Sequence, residues 1–336
     1  MRRILLAGYF GMGNLGDEAI LEAEITYLRD KFPNVEISVL SGNPDETSKR
    51  FHCPSYNRRK LKEISRAISL CDLFLLGGGG LFQDITSFQS LIYYLLLVQL
   101  ARLKKKKVAI FSVGIGPLKR SISEDLVVRV IRKVEHLSLR DRESFNWALS
   151  KGITKAVLSA DASLLLSPSP QGERRKEIGV ALRSWKGLKL EEIKEFLVEI
   201  SKKGYELSFI IFNPKDRTLS QSLAEEIGGK IHEPKSPREA IELLAGMEAA
   251  IAMRLHCAIL ATIAGTPFLA LSYDPKVQSF AEEVGQPFLP LENLNKEALM
   301  NLFEKRNKEN LEEALLSLRG RVERAIEMMR GLIESS

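Results

Sequence analysis

The stretch that decides the fold is AAIAMRLHCAILATIAGTPFLALSYDPK, residues 249–276. Residues 249–253 form an apolar run that predicts a buried strand, and the segment 256–265 has the pattern of a helix. Gly265-Thr266-Pro267 then turns the chain into a second apolar run, residues 268–271, which predicts another buried strand. The stretch therefore predicts a strand–helix–strand unit with parallel strands.

The same alternation extends outward over most of the chain. Further strands are predicted at residues 3–7, 35–40, 73–76, 107–113, 137–139, 156–158, 178–182 and 206–212. Strands that alternate with helices imply an α/β protein with two Rossmann-like parallel-sheet domains. A chain with two such domains and C-terminal helices is expected to bind its ligand in a cleft between the domains.

A proline-rich segment, residues 167–172, is the best candidate for a linker because no periodic apolar pattern crosses it. We therefore predict an N-terminal Rossmann-like domain at residues 1–167, which carries the glycine-rich loops on an acceptor side. A C-terminal Rossmann-like domain follows at residues 173–290, and amphipathic helices occupy residues 295–336.

Composition narrows the class of protein. The chain has 336 residues, of which 45% are hydrophobic and 27% charged, as expected for a globular protein with a core. The net charge of +6 is modest and dispersed, which fits an anionic ligand and does not favour nucleic acid. The three cysteines show no metal-type spacing, so no metal is expected and a reducing cytoplasm is the simplest location.

Three side chains of the opening stretch are candidates for chemistry. Arg254 and His256 follow its first strand, and Lys276 lies just beyond the carboxyl end of its second. Ligands of open α/β sheets collect at the carboxyl ends of strands. Two cations beside an imidazole suggest an anionic substrate and proton transfer, although His256 has a hydrogen-bonded structural role as its alternative.

Two glycine-rich loops also follow predicted strands. The first, GYFGMGNLGDE at residues 8–18, contains Asn14 and Asp17; Asp17 either caps the following helix or binds sugar hydroxyls. Its acidic residues disfavour a dinucleotide. The second, residues 77–84, has four consecutive glycines, which favours close approach of a ligand to Gly79 and Gly80. Asp84 either binds hydroxyls or caps the following helix.

Two arginines follow strands elsewhere. Arg140 belongs to the charged run 140–143 and is either part of a solvated cluster or a ligand-binding cation. Arg183 has the same position after a strand in the second half of the chain.

The apolar segment 91–103 is followed by four lysines, residues 104–107. The segment is shorter than the ~20 residues that a membrane-spanning helix needs. One interpretation is a buried helix whose C-terminal lysines complement the helix dipole. The other adds a basic, apolar surface that contacts an anionic membrane leaflet or a lipid-linked substrate.

The motifs occur in an order that resembles a known family. GxxGxxNxGDE, GGGGLFQD, SVGIGP, SLRD, MRLH and YDPKV, in this order, resemble the polysaccharide pyruvyl transferases over residues 1 to about 285. Within that family the chain is most similar to the bacterial cell-surface anchoring pyruvyl transferases. The resemblance implies a glycosyltransferase-B-like architecture and a protein of cell-wall biogenesis, located in the cytoplasm or peripherally on the inner face of the cell membrane.

The resemblance also implies an activity. The enolpyruvyl unit of phosphoenolpyruvate would move onto a sugar as a pyruvate ketal with phosphate release, without a metal or organic cofactor. The acceptor would be N-acetylmannosamine in a lipid-linked disaccharide, a precursor of the secondary cell-wall polymer that anchors surface-layer proteins. His256 matches the proposed general acid, while Lys276 and Arg140 match the donor-binding cations.

Two other functions remain open from the sequence. One is a nucleotide-sugar-dependent glycosyltransferase on the same architecture, although the second half lacks a clear acidic residue for a ribose. The other is a non-catalytic protein that binds polysaccharide or membrane, which would leave His256, Arg254 and Lys276 without a shared purpose.

Overall fold

The computed structural model describes residues 2–85, 87–168, 172–307 and 310–334. Its strands are β1 (Arg2–Ala7), β2 (Val35–Ser41), β3 (Ser55–Asn57), β4 (Leu73–Gly77), β5 (Lys107–Val113), β6 (His136–Leu139), β7 (Val157–Leu158), β8 (Arg175–Ala181), β9 (Glu206–Ile210), β10 (Lys230–His232), β11 (Met247–Ala252), β12 (Phe268–Ser272) and β13 (Phe288–Pro290).

Helices connect these strands. They are α1 (Leu15–Lys31), α2 (Pro44–Phe51), α3 (Leu61–Leu70), α4 (Phe88–Leu103), α5 (Ser121–Ile131), α6 (Arg142–Ser150), α7 (Leu190–Lys202), α8 (Arg217–Ile227), α9 (Pro237–Ala245), α10 (Leu255–Ile263), α11 (Pro275–Glu283), α12 (Lys296–Glu304), α13 (Leu311–Met328) and α14 (Arg330–Glu334).

The chain forms two compact units. The first comprises Met1–Met12, Asp17–Leu165 and Leu318–Ser336, and the second comprises Gly13–Gly16 and Leu166–Ser317. Part of the predicted linker, residues 169–171, lies outside the described residues.

The first unit is built on a seven-stranded sheet in the order β3-β2-β1-β4-β5-β6-β7. Every pairing in it is parallel. All five residues of β4 are buried, which is typical of a parallel sheet covered on both faces. Helices α3, α4 and α5 pack side by side and share one hydrophobic core with β4 and β5.

The last helices of the chain return to the first unit. The Arg330 guanidinium lies 5.0 Å from the centre of the Phe32 ring, and Arg319 Nε donates to the Leu164 carbonyl at 2.5 Å. Through these contacts α13 and α14 pack on the first unit. Helix α12 instead packs against α7 of the second unit.

The second unit has a six-stranded sheet in the order β10-β9-β8-β11-β12-β13, again with parallel pairings only. In both sheets the first strand of the unit lies beside a strand that comes three later, so the strand order reverses between them. This is the arrangement of a Rossmann fold, and its reversal point is where ligands bind. The predicted fold class, two Rossmann-like parallel-sheet domains with C-terminal helices, is confirmed.

Candidate active site

Four predicted residues of the second unit meet at the carboxyl edge of its sheet. Strand β11 lies between β8 and β12, and Ala252 at its end pairs with Ala181 and Ala270. Arg183 follows β8, Arg254 and His256 follow β11, and Lys276 follows β12. The strand order reverses between β8 and β11, so these residues surround the position where a Rossmann-like sheet binds its ligand.

The Arg183 side chain is held by aromatic groups. Its guanidinium lies 4.8 Å from the centre of the Trp185 ring and 4.6 Å from that of Tyr273. Its Nη1 donates to the Tyr273 hydroxyl at 2.7 Å, and its Nε has no hydrogen-bond partner among the described residues. Stacking fixes the direction of the guanidinium, and no carboxylate of the described residues forms an ion pair with it, which suits an anion.

Arg254 has a different environment. Its Nε donates to Asp216 Oδ2 at 2.8 Å, and its Nη2 donates to Oδ1 of the same carboxylate. Asp216 is only 2% exposed and ends a short 3-10 helix, Pro214–Asp216, just after β9. This buried bidentate pair neutralises and orients Arg254, and sequence reasoning did not single out Asp216. The sequence signal that could have identified Asp216 is its position, with Pro214, just after the strand β9.

His256 lies in the first turn of α10 and is partly exposed, whereas residues 257–263 behind it are all buried. Arg254 precedes the helix and makes no capping bond with its side chain. The dipole of α10 is positive at this end of the helix, which favours negative charge nearby.

Gly16 limits the space beside the imidazole. A Cβ atom on Gly16 would lie 2.0 Å from His256 Nδ1. The Leu15 amide donates to the Phe212 carbonyl at 3.1 Å, which fixes the segment Gly13–Gly16 within the second unit. Glycine at this position thus allows the chain to pack directly against the ring.

Lys276 lies in the first turn of α11. Asp274 caps this helix, with its Oδ1 accepting from the Lys276 amide at 3.0 Å, and Pro275 begins it. The predicted position of Lys276 just beyond the carboxyl end of β12 is confirmed.

The glycine-rich loops follow β1 and β4, the two strands of the first sheet between which the strand order reverses. Helix α1 begins at Leu15, so the interpretation of Asp17 as the residue that caps it is wrong. Asn14 precedes the helix instead, and its side-chain oxygen accepts from the Gly16 amide at 3.2 Å. Asp17 is 8% exposed and lies against Gly79, where an added Cβ would be 3.2 Å from Asp17 Oδ1.

The glycine run has a partly structural explanation. A Cβ on Gly77 would lie 2.3 Å from the Glu24 carboxyl oxygens, and one on Gly78 would lie 2.1 Å from Ile20. The first two glycines are therefore required because helix α1 packs directly on the loop. Gly79 has a φ of +79°, which favours glycine, and Gly80 is partly exposed.

Asp84 and Arg140 are both engaged within the first unit. Asp84 accepts from the Lys119 and Arg120 amides at 2.7 and 3.1 Å and from Ser123 Oγ at 2.7 Å. These bonds connect the glycine loop to the start of α5. Ser87 caps the following helix, α4, so the interpretation of Asp84 as its cap is wrong. Arg140, 9% exposed, contacts Asp161 at 3.2 Å and Asp141 at 3.5 Å. Substrate binding by Asp84 and Arg140 stays a prediction.

Two carboxyl groups of α1, the half-buried Glu18 and the buried Glu24, lie near these loops. Desolvation raises the pKa of Glu18 to about 7, although the Gly11 amide donates to its Oε1 at 2.8 Å. Burial also raises the pKa of Glu24 well above its usual range, and neither of its oxygens has a hydrogen-bond partner among the described residues. Desolvation of this carboxyl group therefore favours its neutral form.

Two other features of the molecule are separate from these residues. A cavity of about 490 Å³ in the first unit is lined by residues such as Arg3, Ser38, His52 and Cys71, and by none of the predicted site residues. Within residues 2–85, 87–168, 172–307 and 310–334, no group of three or more His, Cys, Asp or Glu side chains is arranged to hold a metal ion.

Fold and site thus define a Rossmann-like α/β protein with cations and an imidazole at one sheet edge. A family model for polysaccharide pyruvyl transferase matches residues 14–275. Because that match covers most of the chain, the protein belongs to the polysaccharide pyruvyl transferase family, which indicates a transferase. No curated protein matches the chain.

Solved structures with the same fold are distant in sequence. The UDP-GlcNAc 2-epimerase from Neisseria meningitidis, bound to UDP-GlcNAc, is 15% identical with a TM-score of 0.61 over 98% of this chain and 99% of that chain. A glycosyltransferase from Rickettsia africae is 10% identical with a TM-score of 0.65 over both full chains. MurG from Acinetobacter baumannii is 14% identical with a TM-score of 0.55, over 98% and 99% of the two chains. These similarities show a glycosyltransferase-B-like fold.

Proposed function

We propose that this protein transfers the enolpyruvyl unit of phosphoenolpyruvate onto a sugar, forming a pyruvate ketal and releasing phosphate. The observation that carries the proposal is the grouping of Arg183, His256 and Lys276 at the edge of the second sheet where the strand order reverses. Phosphoenolpyruvate carries a carboxylate and a phosphate, and guanidinium and ammonium groups bind both.

The donor is recognised by fixed positive charge. Arg183 is the best placed cation, because aromatic stacking and the Tyr273 hydroxyl orient it while no described carboxylate pairs with it. Lys276 and the first turn of α10 supply further positive potential. Arg254, held by Asp216, orients the start of α10. Arg140 is a further donor-binding cation by its match to the family motif.

His256 acts as general acid. It gives a proton to the methylene carbon of the donor, and C2 becomes an oxocarbenium-like centre. A sugar hydroxyl attacks C2, phosphate leaves with the electron pair of the C2–O bond, and a second hydroxyl closes the ketal. One of the two hydroxyl protons restores the imidazolium, and the other is taken up by the departing phosphate. Such general acid catalysis typically contributes about 10²–10⁴ in rate.

The acceptor is a sugar, and its reacting hydroxyl groups are uncharged, unlike the carboxylate and phosphate of the donor. Asn14, Asp17, Gly79, Gly80 and Asp84 are the predicted acceptor-side residues, since carboxylates and open backbone suit hydroxyl groups. The resemblance to the cell-surface anchoring pyruvyl transferases makes the acceptor N-acetylmannosamine of a lipid-linked disaccharide. The enzyme then works in the cytoplasm, on a precursor of the secondary cell-wall polymer, and needs no metal or organic cofactor.

Product analysis tests the proposal. The protein is incubated with synthetic lipid-linked disaccharides and either phosphoenolpyruvate or UDP-sugars, and products are identified by mass spectrometry alongside released phosphate or UDP. A ketal-linked pyruvate formed with phosphate release supports the proposal. Sugar transfer with UDP release would instead identify a nucleotide-sugar glycosyltransferase and refute it.

A further inference from the structure

Helix α4 exposes an apolar stripe. Its Leu91, Tyr94 and Val98 are buried against the sheet, whereas Leu96 and Leu103 are 61% and 79% exposed. Ile92, Leu96 and Leu103 recur at positions i, i+4 and i+11, so they share one side of the helix. Helices normally place polar residues on such an outward side, which makes this stripe unusual.

Basic residues flank the stripe. On the neighbouring helix α3, Lys62 and Arg66 are exposed. At the other end, Lys104 Nζ donates to Ser69 Oγ at 2.9 Å and Lys106 Nζ to the Ser69 carbonyl at 2.8 Å. These bonds join the ends of α3 and α4, and they bring exposed Leu70, at 42%, to the same end as the lysine turn.

The charge of this region is strongly one-sided. No Asp or Glu occurs between Asp84 and Glu124, a stretch that contains all of α4 and the four lysines. Lys105 and Lys107 are exposed, and Lys105 has a φ of +57°, in the left-handed region that favours glycine. A charged side chain is thus present where the backbone alone would favour glycine.

We infer that this basic apolar face, formed by Lys62, Arg66, Leu70, Ile92, Leu96, Leu103 and Lys104–Lys107, docks on an anionic lipid bilayer. Exposed leucines can enter the boundary of headgroups and acyl chains, while lysines and arginines bind anionic headgroups. No described helix is long and apolar enough to cross a membrane, so the contact is made by the surface of α3 and α4. The role of this docking rests on the proposed function, because docking would bring the enzyme to a lipid-linked acceptor.

Vesicle co-sedimentation tests the inference. The protein should bind vesicles that contain phosphatidylglycerol, bind pure phosphatidylcholine much more weakly, and lose binding as salt increases. The double variant Lys105→Gln/Lys107→Gln should bind anionic vesicles about fivefold more weakly for each lysine removed. Leu96→Asn/Leu103→Asn should also weaken binding, by about tenfold or more.

Matched controls separate this face from general basicity. Lys202→Gln/Lys305→Gln removes the same charge from exposed positions of the second unit and should leave vesicle binding unchanged. Absence of binding to phosphatidylglycerol vesicles, equal binding to both lipids, or equal loss in the control would overturn the inference. So would self-association through the leucines without vesicle binding.

The proposed function is tested separately in the same variants. Phosphate release with phosphoenolpyruvate and a water-soluble acceptor should be unchanged in all three double variants. A protein that binds vesicles but never uses phosphoenolpyruvate would refute the proposed function alone, whereas one that uses it but ignores vesicles would refute the membrane inference alone.

Discussion

The two sheets have the same strand topology, but the predicted site residues at their carboxyl edges differ in charge. At the strand reversal of the second sheet lie Arg183, His256 and Lys276, whereas the first presents glycines and the acidic Asp17 and Glu18. Two similar scaffolds thus differ mainly in the side chains that follow their strands. Under the proposed function, the second edge binds the anionic donor and the first binds the hydroxyl-rich acceptor.

The most severe test of this contrast removes the imidazole. His256→Ala is expected to lower turnover by about 10²–10⁴-fold, because the variant loses its general acid. Affinity for phosphoenolpyruvate should change little, since the cations remain. Phosphate-release kinetics and calorimetry measure the two effects, with His52→Ala, at an exposed position, as control. Near-normal turnover in His256→Ala would refute the acid assignment.

The next test moves the imidazole instead of deleting it. In Gly16→Ala the new Cβ would lie 2.0 Å from His256 Nδ1, so the ring must shift. Displacement of a catalytic group by about 1 Å can cost about 10²-fold in rate. Turnover should therefore fall by that order while the protein stays folded. Gly331→Ala, where a Cβ meets no atom within 4 Å, is the matched control. Unchanged turnover in Gly16→Ala would mean that the position of the His256 ring does not affect catalysis.

A third test concerns the charge that distinguishes the second edge. Arg183→Ala should weaken phosphoenolpyruvate binding about 10- to 100-fold, the range expected for lost hydrogen bonds to a charged group. Arg183→Lys should recover only part of it, because an ammonium cannot reproduce the stacked, planar guanidinium. Calorimetry measures both, and Arg238→Ala, whose side chain is 80% exposed, serves as control. Equal affinity in Arg183→Ala would move the donor away from this edge.

The smallest expected effect lies at the first edge. Burial raises the folded-state pKa of Glu24 well above its ordinary value of 4.5, so the unfolded chain loses this proton first as pH rises. Stability should then fall with increasing pH above 4.5 by about 1.4 kcal/mol per unit, until Glu24 ionises in the folded state. The pKa of Glu18 is raised to about 7, so Glu18 also makes stability decline with increasing pH, but only up to about pH 7.

Glu24→Gln should remove its share of this dependence. Urea unfolding measured as pH rises above 5 should show a shallower decline of stability in the variant than in the unmodified protein. Glu36→Gln, at an exposed position on β2, should keep the original slope. An identical pH dependence in Glu24→Gln would mean that this carboxyl is ionised in the folded protein.

Much of the fold could be predicted from local pattern. Apolar runs that alternate with helical segments identified the long strands and the positions of the glycine loops, because buried parallel strands are continuously apolar. The elements α2, β3, β10, α11 and β13 were not predicted. Helices α2 and α11 both begin at a proline after a capping residue, Asn43 and Asp274. The three strands have three residues each, which is too few for a periodic signal.

The site residues were placed at strand ends from sequence, but their partners were not. The pair of Arg254 with Asp216 joins residues 38 positions apart, and no local pattern encodes it. The reason for Gly77 and Gly78 likewise lies in the packing of Ile20 and Glu24, on a helix more than fifty residues earlier. Sequence spacing therefore predicts which edge a side chain reaches, whereas tertiary contacts decide whether its charge is already compensated.

Calorimetric titration of the unmodified protein tests the central claim most directly. The account predicts that phosphoenolpyruvate binds in the absence of any acceptor, with affinity that weakens as salt is added, and that UDP-GlcNAc produces no heat of binding. Saturable binding of UDP-GlcNAc with none of phosphoenolpyruvate would contradict it.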